Sequence, residues 1–88
     1  MVIFGAKSCR SCRQMQPRIE MVAKKAGAKL LFLHYGRETD SVYRQHEIKH
    51  TPTVHVYGRD GNLLDSTVYN KPSELSQLMS ILERASPR

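Results

Sequence analysis

Cys9 and Cys12, with two residues between them, are the only thiols among the 88 residues. A pair at that spacing can close a disulfide within one helical turn, or supply two of the four ligands that a structural zinc ion takes. A disulfide scaffold normally uses four or more cysteines, so a single pair is not there chiefly to staple a core. Lys7, Arg10 and Arg13 surround it with positive charge, which favours the thiolate, the nucleophilic form. His34, His46, His50 and His55 are the imidazoles that could complete a metal site. His46 and His50 are four apart, but Pro52 breaks the helix nearby, and no second Cys-x-x-Cys or His-x-x-x-His pair supports that reading.

The elements around the pair must hold it at a strand-to-helix junction. Met1 to Phe4 reads as a short buried strand, ending where Gly5 permits a turn. From about Cys9 to Ala26, Met15, Ile19 and Val22 with Ala23 and Ala26 recur at three- and four-residue steps, the mark of one buried helix face. Pro17 falls inside that pattern and predicts a kink, not a stop; Gly27 stands where a left-handed cap would close the helix. Cys9 then occupies the N-terminal end of the helix, where unpaired backbone donors and the helix dipole stabilise a thiolate. Lys29–Tyr35 is a second strand. Thr39 is the expected N-cap of a helix from Asp40 to about Glu47, with Val42, Tyr43 and Ile48 inward. Thr51-Pro52-Thr53 leads into the strand Val54–Tyr57, and Asp60-Gly61 marks a hairpin turn into Leu63–Val68. Pro72 opens a last helix with Leu75, Leu78, Met79 and Leu82 on one face, and Ala85–Arg88 reads as a frayed tail.

The order β-α-β-α-β-β-α predicts a mixed four-stranded sheet with helices on both faces, one domain over residues 1–88. Net charge is +6, from 14 Lys and Arg against 8 acids. The excess is greatest before Leu30, yet no basic run alternates with aromatics as a single-strand nucleic-acid platform requires. The charge reads as a solvated basic face, or as one that steers acidic protein partners, and not as a nucleic-acid surface. Leu30–Leu33, the longest apolar run, is too short to span a bilayer. The first residues lack the charged head, apolar stretch and cleavage site of a signal peptide. The expected location is therefore cytoplasmic, or a reducing organelle lumen such as a stroma or matrix if the chain is trimmed from a precursor.

Taken in order, these features resemble the thioredoxin superfamily. Val2-Ile3-Phe4 precedes Cys9-Arg10-Ser11-Cys12, Pro17 follows the second cysteine by five residues, and Thr51-Pro52-Thr53 matches the cis-proline segment. The Asp60-Gly61 hairpin and a closing amphipathic helix carry the likeness to about residue 84. The family's first strand and helix have no counterpart, so the chain is similar to its minimal core, near a glutaredoxin in size. Arg10-Ser11 replaces the usual dipeptide between the cysteines; Ser8 and Gly5 stand where thioredoxins carry tryptophans; Ile3 stands where they bury an aspartate. Tyr69 falls near a glycine of their substrate groove.

The resemblance implies a thiol–disulfide oxidoreductase with no cofactor beyond a redox-active Cys9–Cys12 disulfide. Cys9 would attack a protein disulfide and Cys12 would resolve the mixed disulfide, with Arg10, Ser11, Thr51 and Pro52 contacting substrate. With Ile3 unable to take a proton, His34 and His50 are the candidate acceptors. An upstream thiol or thioredoxin-reductase-type donor would return the electrons. The rival readings are a metal-binding module and a redox-inert interaction module on the same scaffold. The missing first strand would leave residues 29–34 as an apolar sheet edge, which a second copy or a neighbouring domain would cover.

Overall fold

Val2, Ile3 and Phe4 alternate sides along β1 (Val2–Gly5), and both sides are covered in the computed structural model, which describes residues 1–85. The tail expected from Ala85 onward runs into residues 86–88, outside the described residues. The remaining elements are α1 (Arg10–Lys25), β2 (Leu31–His34), α2 (Asp40–Gln45), β3 (Thr53–Tyr57), β4 (Leu63–Val68) and α3 (Leu75–Ala85). Strand order is β2-β1-β3-β4, with β1 parallel to β2 and antiparallel to β3, so the sheet is mixed as the element order implies.

One face of the sheet carries the larger core. Ile3 from β1 and Val54 and Val56 from β3 meet Met15 and Ile19 of α1, Leu78 and Leu82 of α3, and Tyr69. Each such fully buried large side chain contributes about 1.5–3 kcal/mol through loss of apolar contact with water. α1 runs through Pro17 without stopping, and Gly27 adopts φ +70° where the helix ends. The opposite face is smaller and rests on α2. Phe4 lies edge-on to Tyr43 at 5.3 Å and to the His55 ring at 4.7 Å, and His46 stands 5.6 Å from His55.

Several boundaries differ from the sequence expectation. β2 begins at Leu31 and ends at His34, not Lys29–Tyr35, because its parallel partner β1 offers only four residues to pair. It does lie at the sheet edge, with Leu31 exposed. α2 stops at Gln45, not near Glu47. Thr39 is the N-cap by position, but its hydroxyl does not cap the helix: it donates to the His34 carbonyl at 2.7 Å and accepts from the Gly36 N–H at 3.0 Å. Pro72 opens a 3-10 turn (Pro72–Glu74) that leads into α3, where Glu74 accepts from the Lys71 N–H at 2.9 Å.

Past α2, Glu47 takes φ 54°, its N–H donates to the Arg44 carbonyl at 3.1 Å, and Ile48 donates to Tyr43 at 2.9 Å. That is the left-handed closing turn for which glycine is the suited residue. A left-handed L-residue costs roughly 1–2 kcal/mol. Glu47→Gly should raise the unfolding free energy by about 1 kcal/mol after the entropy glycine adds to the unfolded chain; urea melts followed by circular dichroism measure it.

His55 is 2% exposed, with Nδ1 3.3 Å from the Tyr57 hydroxyl and Nε2 without a partner among the described residues. Burial first, then the neighbouring His46, pushes its pKa below the ordinary histidine value, with Asp65 opposing. The folded chain therefore prefers neutral His55, while the unfolded chain takes up the proton more readily. This stability is complete above about pH 6.5 and is lost as pH falls from there through the folded pKa. Replacing His55 with Phe should flatten the loss of stability between pH 7.5 and pH 5.5 that the native chain shows in the same melts.

Candidate active site

Cys12 belongs to the buried stripe of α1, three residues before Met15 and seven before Ile19, and is 3% exposed. Cys9 precedes the helix as its N-cap, in extended backbone and partly exposed. Helix periodicity thus separates the two thiols by exposure: one turn of rotation puts Cys12 into the core and leaves Cys9 at the surface. They are joined as a disulfide with Cα atoms 5.2 Å apart.

Three groups meet the Cys9 sulfur. The Cys12 N–H points at it from 3.0 Å, one of the free donors that every helix start offers. The Thr51 carbonyl oxygen lies 3.5 Å away on the other side and would accept the S–H of a reduced thiol. Sulfur from Cys12 completes the set. When the bridge opens, the Cys12 N–H and the aligned peptides of α1 hold negative charge on Cys9.

The two supporting loops are tied down separately. Gly5 ends β1 against Cys12, and a Cβ there would stand 3.8 Å from Cys12 Sγ. The Gly5 carbonyl accepts from the Tyr35 N–H at 2.8 Å and from the buried Tyr43 hydroxyl at 2.7 Å. On the Thr51 side, the Thr51–Pro52 peptide is cis, Pro52 is buried, and its carbonyl accepts from the Tyr69 N–H at 3.1 Å. The Thr53 hydroxyl donates to the His50 carbonyl, closing the loop before β3.

Of the residues singled out from sequence, Cys9, Cys12, Thr51 and Pro52 converge, and Arg10 and Ser11 form the first turn of α1 between the thiols, Arg10 exposed and Ser11 half-buried. His34 and His50 are both exposed, and neither hydrogen-bonds a cysteine among the described residues. His34 is paired in register with Gly5, beside Cys12, and its ring lies 5.0 Å from Phe32. His50 is next to Thr51, on the Cys9 side. Ile3 is fully buried in the core. Tyr69 does not line a groove: it is wholly buried, and its flanking residues Val68 and Asn70 face outward instead.

Val68 and Asn70, with Lys49, His50 and Thr51, enclose an open cavity of about 590 Å³ directly beside the Cys9 contact. Lys49, Val68 and Asn70 have no sequence signal for this role. The β3–β4 ladder, pairing Thr53 with Val68, is what brings residues so far apart in the chain together. No group of three or more His, Cys, Asp or Glu side chains able to hold a metal occurs among the described residues. None of their helices is long and apolar enough to cross a membrane.

The thioredoxin family model, described as "Thioredoxin", matches residues 1–84. No curated protein matches the chain. Among solved structures, thioredoxin 1 of Thermosipho africanus superposes with a TM-score of 0.78 at 22% identity, covering 94% of this chain and 89% of that one. Thioredoxin f2 of Chlamydomonas reinhardtii gives 0.80 at 19% identity, with 99% and 79% covered. Plasmodium falciparum thioredoxin gives 0.73 at 26% identity, with 90% and 80% covered. A partly exposed N-cap cysteine bridged to a buried one, within a family match that spans nearly the whole described chain, makes this protein a member of the thioredoxin family and a thiol–disulfide oxidoreductase.

Proposed function

We propose that this protein, acting as a single domain, reduces disulfides in other proteins, in the cytoplasm or in a reducing organelle lumen, with the Cys9–Cys12 pair as its only redox group. The observation that carries the reading is the unequal exposure of the two sulfurs at one helix start. In the dithiol form, Cys9 thiolate attacks one sulfur of a substrate disulfide, and the other substrate sulfur leaves as a thiolate and is protonated. Cys12 then loses its proton and attacks Cys9, releasing the second substrate thiol and leaving the Cys9–Cys12 bridge. Two electrons have passed to the substrate, and an external dithiol, a thioredoxin-reductase-type donor or a smaller thiol, must return them.

Thr51 supports substrate contact on the same reading. Its carbonyl sits over Cys9, and its N–H makes no backbone hydrogen bond among the described residues, so an extended substrate strand can pair there. Proton removal from Cys12 falls to water or to a histidine. His34 is the better placed of the two, on the strand neighbouring Gly5, while His50 neighbours the Cys9 side.

Cys12→Ser should trap a mixed disulfide with substrate through Cys9, visible on non-reducing gels, whereas Cys9→Ser should neither trap substrate nor reduce insulin with dithiothreitol. Direction is tested by equilibrating the Cys9–Cys12 pair against glutathione or thioredoxin. A potential near −270 mV supports a reductant, and one of about −120 to −180 mV would replace the reading with an oxidant or isomerase. For the proton, single-turnover reduction is measured against pH in His34→Ala and His50→Ala. A displaced profile in His34→Ala alone is the expected result, and two unchanged profiles assign the step to water.

A further inference from the structure

The charge around Cys9 is arranged against the helix that carries it. A helix start stabilises anions and disfavours cations, by typically 0.3–1 kcal/mol per charge, yet α1 has no acid in its first turn. Arg10 and Arg13 stand there instead, both exposed, with exposed Lys7 in the turn just before. The first acid along the helix is Glu20, eleven residues past Cys9 and so about 16 Å away along the axis. These cations do not serve the helix.

The opposite wall repeats the pattern. Lys49 lines the cavity beside Thr51, and exposed Lys71 follows Asn70. The acid nearest Lys71, Glu74, has its carboxylate turned to the Asn70 and Lys71 N–H groups. Glu47 is the one acid close in sequence to Lys49, and Arg44 is occupied by Asp40 at 3.0 Å. Cys9 therefore lies between two basic walls, from α1 on one side and from the Thr51 and Asn70 loops on the other.

We infer that this cleft selects protein disulfides flanked by Asp and Glu, its two basic walls holding acidic residues on either side of the scissile sulfur pair. The inference rests on the reductase reading above and adds the substrate's chemistry to it. Peptide fits better than nucleic acid, because no Phe, Tyr or Trp lines the cavity and the lone His50 ring is no run of stacking platforms for successive bases. Lys7, Arg10 and Arg13 are within four residues of Cys9 in the chain, and Lys49 is two residues from Thr51, whose carbonyl lies 3.5 Å from the Cys9 sulfur. Charges gathered around one atom in this way act together at low salt.

The test compares two peptides, each closed by one disulfide, with Asp and Glu flanking it in one and Asn and Gln in the same places in the other. At low ionic strength the acidic peptide should show about tenfold higher kcat/KM, the lower end of what steering achieves. That ratio should fall toward one in about 0.5 M salt and in the double variant Arg13→Gln, Lys49→Gln. Equal kcat/KM for the two peptides at low salt overturns the inference. Binding of the fluorescently labelled peptides to Cys9→Ser, in which serine keeps the N-cap, is read by anisotropy without any redox step. Preferential binding of the acidic peptide there, with neither peptide reduced by the native chain, would remove the reductase reading and leave the cleft's selectivity standing. Tighter binding of a labelled oligonucleotide than of the acidic peptide overturns it.

Discussion

Everything in this molecule depends on how α1 is seated. Its stripe of Cys12, Met15, Ile19 and Ala23 is pressed onto the sheet, and that contact decides both the core and the chemistry. Because Cys12 is part of the stripe, its burial follows from the same apolar packing that stabilises the fold. Because Cys9 is the residue before the helix, it inherits the free N–H groups of the first turn and stays reachable from solvent. A thiol pair on the exposed side of α1 would have shared one environment and lost the division of labour.

The sheet then supplies the second half of the site. β3 runs antiparallel to β1, so its start lies beside the end of β1, and the loop before it brings the Thr51 carbonyl over Cys9. Tyr43 and Tyr35 secure the end of β1 through the Gly5 carbonyl, and the Tyr69 N–H secures Pro52. The first of these anchors comes from the smaller core under α2, where aromatic and imidazole rings replace aliphatic side chains. Both faces of the sheet therefore bear on the position of the reactive sulfur, one through α1 and the other through Tyr43.

Three features cost the fold stability. Cations at the start of α1 oppose its dipole, Glu47 occupies a left-handed turn suited to glycine, and His55 is buried with a ring nitrogen unpartnered. The first borders the dithiol, and electrostatic preference for substrate explains it. The other two lie under and after α2, away from the sulfurs, and the structure offers no functional account of them.

The sequence alone was enough for the order of elements, because amphipathic periodicity and the Pro and Gly punctuation are local signals. The Met15–Ile19 spacing, Gly27, the Asp60-Gly61 turn and the Leu78–Leu82 stripe each occupy the structural place their spacing implies. Local signals also marked Cys9 and Cys12 as the pair able to do chemistry and put Cys9 at the helix start, since helix geometry needs only a few residues to be read. The attacking and resolving roles came from the family resemblance. Strand limits were less legible: β2 is shorter than its apolar run because a ladder extends only as far as its partner. The walls of the cleft were legible only in part: Lys7, Arg10 and Arg13 adjoin Cys9 in the chain and Thr51 came through the family resemblance, but Lys49, Val68 and Asn70 carry no local signal. Lys49, Thr51, Val68 and Asn70 meet through the β3–β4 register and the Tyr69–Pro52 hydrogen bond. Long-range pairing of that kind leaves no trace in local spacing, so only the tertiary structure could show that Cys9 looks out between two basic surfaces.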